Sequence, residues 1–353
     1  MIKEAISQLV EGRNLTFEEA RETMVEIMSG SATDAQKGAF LTALRMKGET
    51  IDEISALASA MRDFCTKISP HVKGRLVDTC GTGGDMLNTF NVSTAAAFVA
   101  SGAGVHIAKH GNRSVTSKSG SADVLQHLGF NLNMDPSSVE GIIEKIGVGF
   151  MFAPAFHPAM RHVIGVRKDL SIRTVFNILG PLTNPAGANA QLLGVYDYRL
   201  TEPVAHSLER LGCEEAIVVH GIGGLDEIST LGATRVSWLK ENRVKTFEMI
   251  PRDFGVRKTK PEKIRGTTPD ESAKIIYKIL RGINKIDEPR TEMVLVNGAA
   301  GIVVSGRVED FQSGMELAKE SIVSGAAYER LRTLITASGG DISKIEELES
   351  RFG

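Results

Sequence analysis

Three short segments of the 353-residue sequence combine glycine with side chains able to hold anions or a metal ion. The first, residues 78–85, reads DTCGTGGD and is followed by Asn91, Val92, Ser93 and Thr94 at the head of an alanine-rich stretch. Backbone amides in such a loop, together with the positive end of the next helix, can wrap a phosphate or pyrophosphate, and glycine lets the chain come close. The pattern is neither GxGxxG nor GxxxxGK[ST]. A tight turn with an ordinary cap is the plain alternative, but three glycines joined to an acid and a hydroxyl-bearing helix start favour phosphate binding. The second segment, residues 109–123, reads KHGNRSVTSKSGSAD. Its two lysines, one arginine and five hydroxyls can reach several phosphate oxygens at once, whereas a merely solvated basic loop has no need of glycine and asparagine hinges beside a strand. The third, GGLDEIS at residues 223–229, offers the adjacent carboxylates Asp226 and Glu227. Such a pair is often only surface charge, yet it also suits Mg²⁺, which takes a few protein oxygens and fills its shell with water and substrate phosphate.

Each segment follows an apolar, β-rich run. Strands are expected at residues 75–79, 105–109, 148–152, 191–196 and 216–220, with helices at 93–101 and 122–128 between them. Strands alternating with helices imply a mostly parallel α/β sheet, and such sheets gather ligands at the carboxyl ends of their strands. The first 65 residues read differently, as four helices. Ile2, Ile6, Leu9 and Val10 recur at helical spacing, and Thr16 to Glu19 has the Thr-x-x-Glu capping pattern before a helix ending near Gly30. Two more run over residues 34–46 and 51–65. The texture turns helical again at 158–183, as a second visit of the chain to the helical region, and long helices dominate from 269 onward.

Composition narrows the function classes. Hydrophobic residues make up 42% and charged residues 24%, which excludes disorder by composition; 41 basic against 43 acidic residues give a formal charge of −2, so any attraction for nucleic acid or an anionic membrane must be local. Three cysteines, Cys65, Cys80 and Cys213, without CxxC spacing fit a reducing compartment. The amphipathic start MIKEAISQLVEGRN lacks a signal-peptide core, and a cytoplasmic enzyme is expected. His106, His127, His162, His206 and His220 lack metal-ligand spacing and receive no role. Arg257, Lys258, Lys260, Lys263 and Arg265 read as a solvated loop, and Cys80 as a small buried side chain instead of a nucleophile.

Taken together, GTGGD, NVST, KHGNRSV, SKSGSAD, FAPAFHPAM, VRKDLSIRTVFNILGPLTNP, QLLGV and GLDEIS resemble the signatures of the anthranilate phosphoribosyltransferases, in that family's order and densely over residues 75–230. The resemblance implies a small N-terminal helical domain, residues 1–68, joined by helices near 165–182. This would be hinged to a larger α/β domain, residues 72–164 and 183–353, of the nucleoside phosphorylase/phosphoribosyltransferase type, with a homodimer through the helical part and the active site in the cleft. By the same resemblance, Gly81, Gly84, Asp85, Thr89, Asn91, Val92, Ser93 and Thr94 would hold phosphoribosyl pyrophosphate (PRPP). So would Lys109, His110, Gly111, Asn112, Arg113, Ser114, Val115, Thr116, Ser117 and Ser121. Ser93, Asp226 and Glu227 would bind Mg²⁺, as two ions carried with the pyrophosphate. Asn112 and Arg167 would hold anthranilate, Arg167 facing its carboxylate, with Gly81, His110, His157 and Pro181 nearby. Thr116 stands where the family usually has serine, and Ile222-Gly223-Gly224 is one residue longer than in many relatives.

The reaction implied is attack of the anthranilate amino nitrogen on the anomeric carbon of PRPP, releasing pyrophosphate, as in tryptophan biosynthesis. Cationic and amide donors around pyrophosphate would supply most of the rate, and no residue is assigned as general base because an aromatic amine is only weakly protonated. Two other readings stay open. A pyrimidine nucleoside phosphorylase has similar glycine- and lysine-rich loops but needs a single phosphate, and a catalytically silent nucleotide- or nucleic-acid-binding relative would have no use for the acidic pair and Arg167.

Overall fold

A computed structural model describes the whole chain except residues 85, 86, 88, 115–118 and 267. Asp85, Val115, Thr116 and Ser117 therefore lie outside the described residues. The chain begins with helices Ile2–Val10, Phe17–Met28, Asp34–Lys47 and Ile51–Asp63. The last three open on capping boxes, Thr16 with Glu19, Thr33 with Gln36 and Thr50 with Glu53, in which each side chain satisfies the other residue's amide. Glu53 also takes the Leu15 amide and the Lys47 ammonium, so one buried carboxylate fastens three parts of the bundle.

The next body is a seven-stranded sheet. Its strands are β1 (Leu76–Gly81), β2 (His106–Gly111), β3 (Val148–Phe152), β4 (Ala190–Gly194), β5 (Glu215–Gly221), β6 (Thr234–Lys240) and β7 (Arg243–Met249), in the order β3-β2-β1-β4-β5-β6-β7. The first five are parallel, and β6 and β7 continue the sheet as an antiparallel hairpin. The five expected strands are all present, β3 with the expected bounds and the others shifted by one or two residues at their ends; the β6–β7 hairpin adds two that the apolar runs did not announce. Val77, Ile107, Leu192, Ile217 and Val219 face one core, shared with helices Val92–Gly102 and Pro289–Val304. Their neighbours Leu193, Ala216 and Val218 face another. That second core runs without a break from Ile2, Met24 and Leu57 in the bundle, through Leu179 and through Leu208 on helix Thr201–Arg210, to Leu239 on β6.

The chain returns to the core shared with the bundle in helices Ile164–Leu170 and Phe176–Leu182. Arg62 ties this return to the bundle by donating to the carbonyls of Leu182 (2.8 Å) and Leu211 (3.0 Å). Among the described residues no helix is long and apolar enough to cross a membrane.

Candidate active site

The strand order reverses between β1 and β4, where the chain has laid β2 and β3 to one side and then returns to the other. Crevices at such switch points, outside the carboxyl ends of the strands, are where open α/β sheets bind ligands. Here the two ends are glycines, with Gly81 paired to Gly194, and the acidic loop lies on them. A Cβ at Gly81 would strike the Asp226 carboxylate, and one at Gly194 would strike the Asp226 backbone carbonyl. The loop gets there by a tight reversal: Gly223 (φ +87°) and Gly224 (φ +79°) let Leu225 exchange hydrogen bonds with Gly221. Beyond it, the buried Asn297 holds both the amide and the carbonyl of Ile228.

Both carboxylates of the pair are buried and point at the first glycine segment. Asp226 accepts from the Gly83 amide (2.8 Å) and Glu227 from the Ser93 amide (3.1 Å) in the first turn of helix Val92–Gly102. The helix starts at Asn91, in the left-handed region at φ 48°, whose side-chain amide donates to Ser119 and so draws the second segment against the first. Lys109, from β2, is also buried; its ammonium donates to the Thr79 carbonyl and to Ser93 Oγ (3.2 Å). Burial pulls the ammonium below its ordinary range, while Asp78, Cys80, Glu227 and Asp226 favour its charge. Asp78 is fully buried under Lys109, and loss of hydration pushes its carboxyl up to about 6, against the pull of Lys109, Asn184 and the His110 amide. Asn184, on the segment leaving helix Phe176–Leu182, donates to Asp78 (2.7 Å) and to Ala108 O (2.9 Å), joining the returning segment to β1 and β2.

Next to this cluster lie two imidazoles with ring centroids 4.9 Å apart, His110 and His157. Burial pushes His110 down to about 3, helped by His157 and Lys109, and burial alone brings His157 to about 4. Both rings are therefore neutral at pH 7, and the Nε2 of each is buried without a hydrogen-bond partner. Arg167 sits on helix Ile164–Leu170 with its guanidinium 5.3 Å from the Phe176 ring centroid; burial lowers its pKa, and among the described residues no carboxylate pairs with it. The described geometry is thus a phosphate-type cradle bearing two acids beside two neutral histidines.

The comparisons agree with this geometry. The family described as "Glycosyl transferase family, a/b domain" matches residues 73–328, and "Glycosyl transferase family, helical bundle domain" matches residues 3–65. The anthranilate phosphoribosyltransferase of Acetivibrio thermocellus is 50% identical over 343 residues, covering 97% of this chain and 98% of the relative. The chain belongs to the anthranilate phosphoribosyltransferase family. The Methanocorpusculum labreanum member is also 50% identical, over 96% of this chain and 99% of its own length. The crystal structure of the Thermus thermophilus enzyme matches with a TM-score of 0.89 at 40% identity, covering 95% of this chain and 99% of its own. The Saccharomyces cerevisiae enzyme in complex with PRPP and Mg matches with a TM-score of 0.87 at 31% identity, over 96% and 98%.

Within this anthranilate phosphoribosyltransferase fold, the described residues singled out from the sequence fall at several places. Gly81, Gly84, Asn91, Val92, Ser93, Thr94, Lys109, Asp226 and Glu227 converge at the switch point, although Val92 and Thr94 are fully buried in the helix packing. Thr89 forms a backbone bridge with Arg265, which places one end of the basic stretch 257–265 beside the first segment. In the second segment, Gly111 ends β2, Asn112 O accepts from Ser121 Oγ, and the Ser114 amide donates to Asp123. Arg113 is committed to Asp123 (2.8 Å) and Gln126 (2.9 Å) on helix Ser121–His127. Pro181 lies in the last turn of helix Phe176–Leu182, where its carbonyl accepts from Gln191.

Sequence reasoning gave no role to Asp78, Asn184, Asn297, Arg173 or Tyr196, all of which brace the site. The one available signal was Asp78, an acid inside an otherwise apolar strand. Cys80 is buried and accepts from Gln191, and loss of hydration raises its thiol far above the usual range, so it is no nucleophile. His220 Nδ1 donates to the Val195 carbonyl (2.7 Å), a structural contact.

Asp226, Glu227 and Ser93 Oγ form a set of hard oxygens at one place, which fits Mg²⁺. Among the described residues no group of three or more acids, histidines or cysteines could enclose a metal alone. This donor set therefore suits an ion whose remaining ligands are substrate and water.

Proposed function

We propose that the chain transfers the phosphoribosyl group of PRPP to the amino nitrogen of anthranilate, giving N-(5-phosphoribosyl)anthranilate and pyrophosphate. The observation that carries this reading is the acid pair Asp226–Glu227 laid across the glycine ends of β1 and β4 and bonded to the amides of Gly83 and Ser93. A single-phosphate phosphorylase needs no such pair, and a silent relative has no use for it.

PRPP lies on the segments after β1 and β2, with the amides of the first glycine loop and the start of helix Val92–Gly102 facing its phosphates and Lys109 supplying charge from below. Asp226, Glu227 and Ser93 hold Mg²⁺, as two ions, which neutralises the charge that builds on the departing pyrophosphate. Arg167 takes the anthranilate carboxylate, for which a planar guanidinium is suited. Asn112, Gly81 and Pro181 border the aromatic ring, and the neutral His110 and His157 offer their unpartnered Nε2 atoms to its polar groups. The amine meets the anomeric carbon by positioning, and its proton passes to solvent without an assigned base.

Residues 1–68 with 165–182 form one body and residues 72–164 with 183–353 the other, hinged so that closure brings the two substrates together. Met46 and Ile164, 83% and 58% exposed, leave apolar surface on the helical part and support a homodimer there. The free thiols Cys65, Cys80 and Cys213 support work in the cytoplasm. The test is to mix the protein with anthranilate, PRPP and Mg²⁺ and follow anthranilate fluorescence and pyrophosphate together. Equal loss of one and gain of the other is expected. Turnover only with a pyrimidine nucleoside and inorganic phosphate would select the phosphorylase, and no turnover with either pair the silent relative.

A further inference from the structure

The turn at residues 82–84 is fastened at both ends from outside, at its start by the backbone of Gly194 and Tyr196 and at its end by the side chain of Arg173. Gly83 (φ +70°) and Gly84 (φ +79°) are consecutive left-handed residues, so the turn is sharp and its outward carbonyl needs a partner. At the start, the Thr82 amide donates to Gly194 O (2.9 Å), and Thr82 Oγ1 accepts from the Tyr196 amide (3.0 Å). At the end, Arg173 Nη2 donates to Gly84 O (3.1 Å) while its guanidinium lies 4.2 Å from the centroid of the Tyr196 ring. In the middle, the Gly83 amide donates to Asp226. Arg173 and Tyr196 are both half-buried, and among the described residues no carboxylate pairs with Arg173. Arg173 belongs to the link between helices Ile164–Leu170 and Phe176–Leu182, six residues after Arg167. A continuous chain of contacts therefore leads from the helical body through Arg173 and Gly84 to Gly83 and Asp226.

We infer that Arg173, stacked on Tyr196, is a positioning residue that seats the turn at residues 82–84, and through it Asp226, for the pyrophosphate of PRPP. The arrangement needs a planar cation: the face lies on the ring while the edge donates to a carbonyl, a combination that lysine cannot reproduce. The inference rests on the transfer reaction proposed above. The rival role for Arg173 is direct contact with a substrate anion, and the two make different demands on Tyr196 and on charge alone.

The experiment measures kcat and both KM values, with Mg²⁺ activation curves, for Arg173→Ala, Arg173→Lys, Tyr196→Leu, Tyr196→Phe and the Arg173→Ala/Tyr196→Leu double variant. Arg173→Ala and Tyr196→Leu should each lower kcat/KM for PRPP by about tenfold or more and raise the Mg²⁺ needed, with the anthranilate KM within about twofold. The double variant should lose no more than either alone, because the two act as one unit. Tyr196→Phe, which keeps the ring, should restore most of the rate, and Arg173→Lys should not. Full activity of Arg173→Lys, additive losses in the double variant, or a loss confined to the anthranilate KM would each overturn the positioning role. A wild-type protein inert with both substrates sinks the transfer reaction itself; an active wild type with an unaffected Arg173→Ala variant sinks only the inference about Arg173.

Discussion

Gly81→Ala and Gly194→Ala test the contact on which the acid pair depends. Each adds one methyl group under the same residue, but the two methyls meet different obstacles. At Gly81 the new carbon meets the Asp226 carboxylate, a side chain that can swing aside; at Gly194 it meets the Asp226 backbone carbonyl, which cannot. Neither glycine has a positive φ, so alanine brings no backbone strain of its own. Displacing the carboxylate breaks the 2.8 Å bond from the Gly83 amide. A hydrogen bond to a charged group contributes about 1.5–3 kcal/mol, so kcat/KM for PRPP should fall about 10- to 150-fold in Gly81→Ala, with a higher Mg²⁺ requirement. The Gly83 amide lies on an exposed residue and is rehydrated when the carboxylate leaves, so the thermal melt should fall less than that of Gly194→Ala. Gly194→Ala should instead lose roughly 1–3 kcal/mol of stability, the usual cost of overpacking, as β1 and β4 are pried from the loop. Initial rates against Mg²⁺ at saturating PRPP, with melting curves of both variants, decide the matter. A Gly81→Ala enzyme with the wild-type Mg²⁺ response, or one destabilised as much as Gly194→Ala, would refute the reasoning.

Arg167→Ala should raise the anthranilate KM by about 10- to 100-fold, as expected for a lost charge-assisted contact, while the PRPP KM barely moves; equal changes in the two would remove Arg167 from the aromatic site. The double variant Asp226→Asn, Glu227→Gln should abolish Mg²⁺-dependent turnover, and calorimetry should find Mg²⁺ bound appreciably only when PRPP or pyrophosphate is present. Tight Mg²⁺ binding to the substrate-free protein contradicts that picture. His157 titrates near 6.5 when unfolded and near 4 in the native protein, so the unfolded chain binds the extra proton between those values. Its contribution to stability is complete above pH 6.5 and is lost at about 1.4 kcal/mol per unit as pH falls toward 4. Denaturant titrations of His157→Phe should show a slope shallower by that amount across the window, and curves parallel to the wild type would show that the ring is not buried neutral.

Much of the sheet could be read in advance because β1 to β5 are buried on both faces and therefore appear as mostly apolar runs, all but β3 ending in glycine. The β6–β7 hairpin escaped for the opposite reason. β7 is an edge strand, and Arg243, Lys245 and Glu248 give it the look of a polar loop. Its turn uses Glu241 and Asn242 at φ 52° and 54° in place of the glycine that usually marks such a reversal. At the site, residues that act next to one another in sequence were legible as motifs: the glycine loop, the lysine-led segment and the acid pair. The braces were not. Asn184 reaches Asp78 across 106 residues, Asn297 reaches Ile228 across 69, and Arg173 meets Tyr196 only because a helical segment comes back over the sheet. No local spacing encodes such meetings.

The unbroken core shared by the helical bundle and the β4–β6 side of the sheet also decides how the protein can be taken apart. Because Leu57, Leu179, Leu208 and Leu239 belong to one cluster, and Arg62 caps two helix ends across the same seam, a cut after residue 68 severs apolar packing instead of a linker. The bundle is therefore not an interchangeable cassette. A chimera that borrows it from a relative keeps a native seam only if the donor also supplies residues 164–182 and 201–210, and without them scanning calorimetry should show the single endotherm of the intact chain broadened or split.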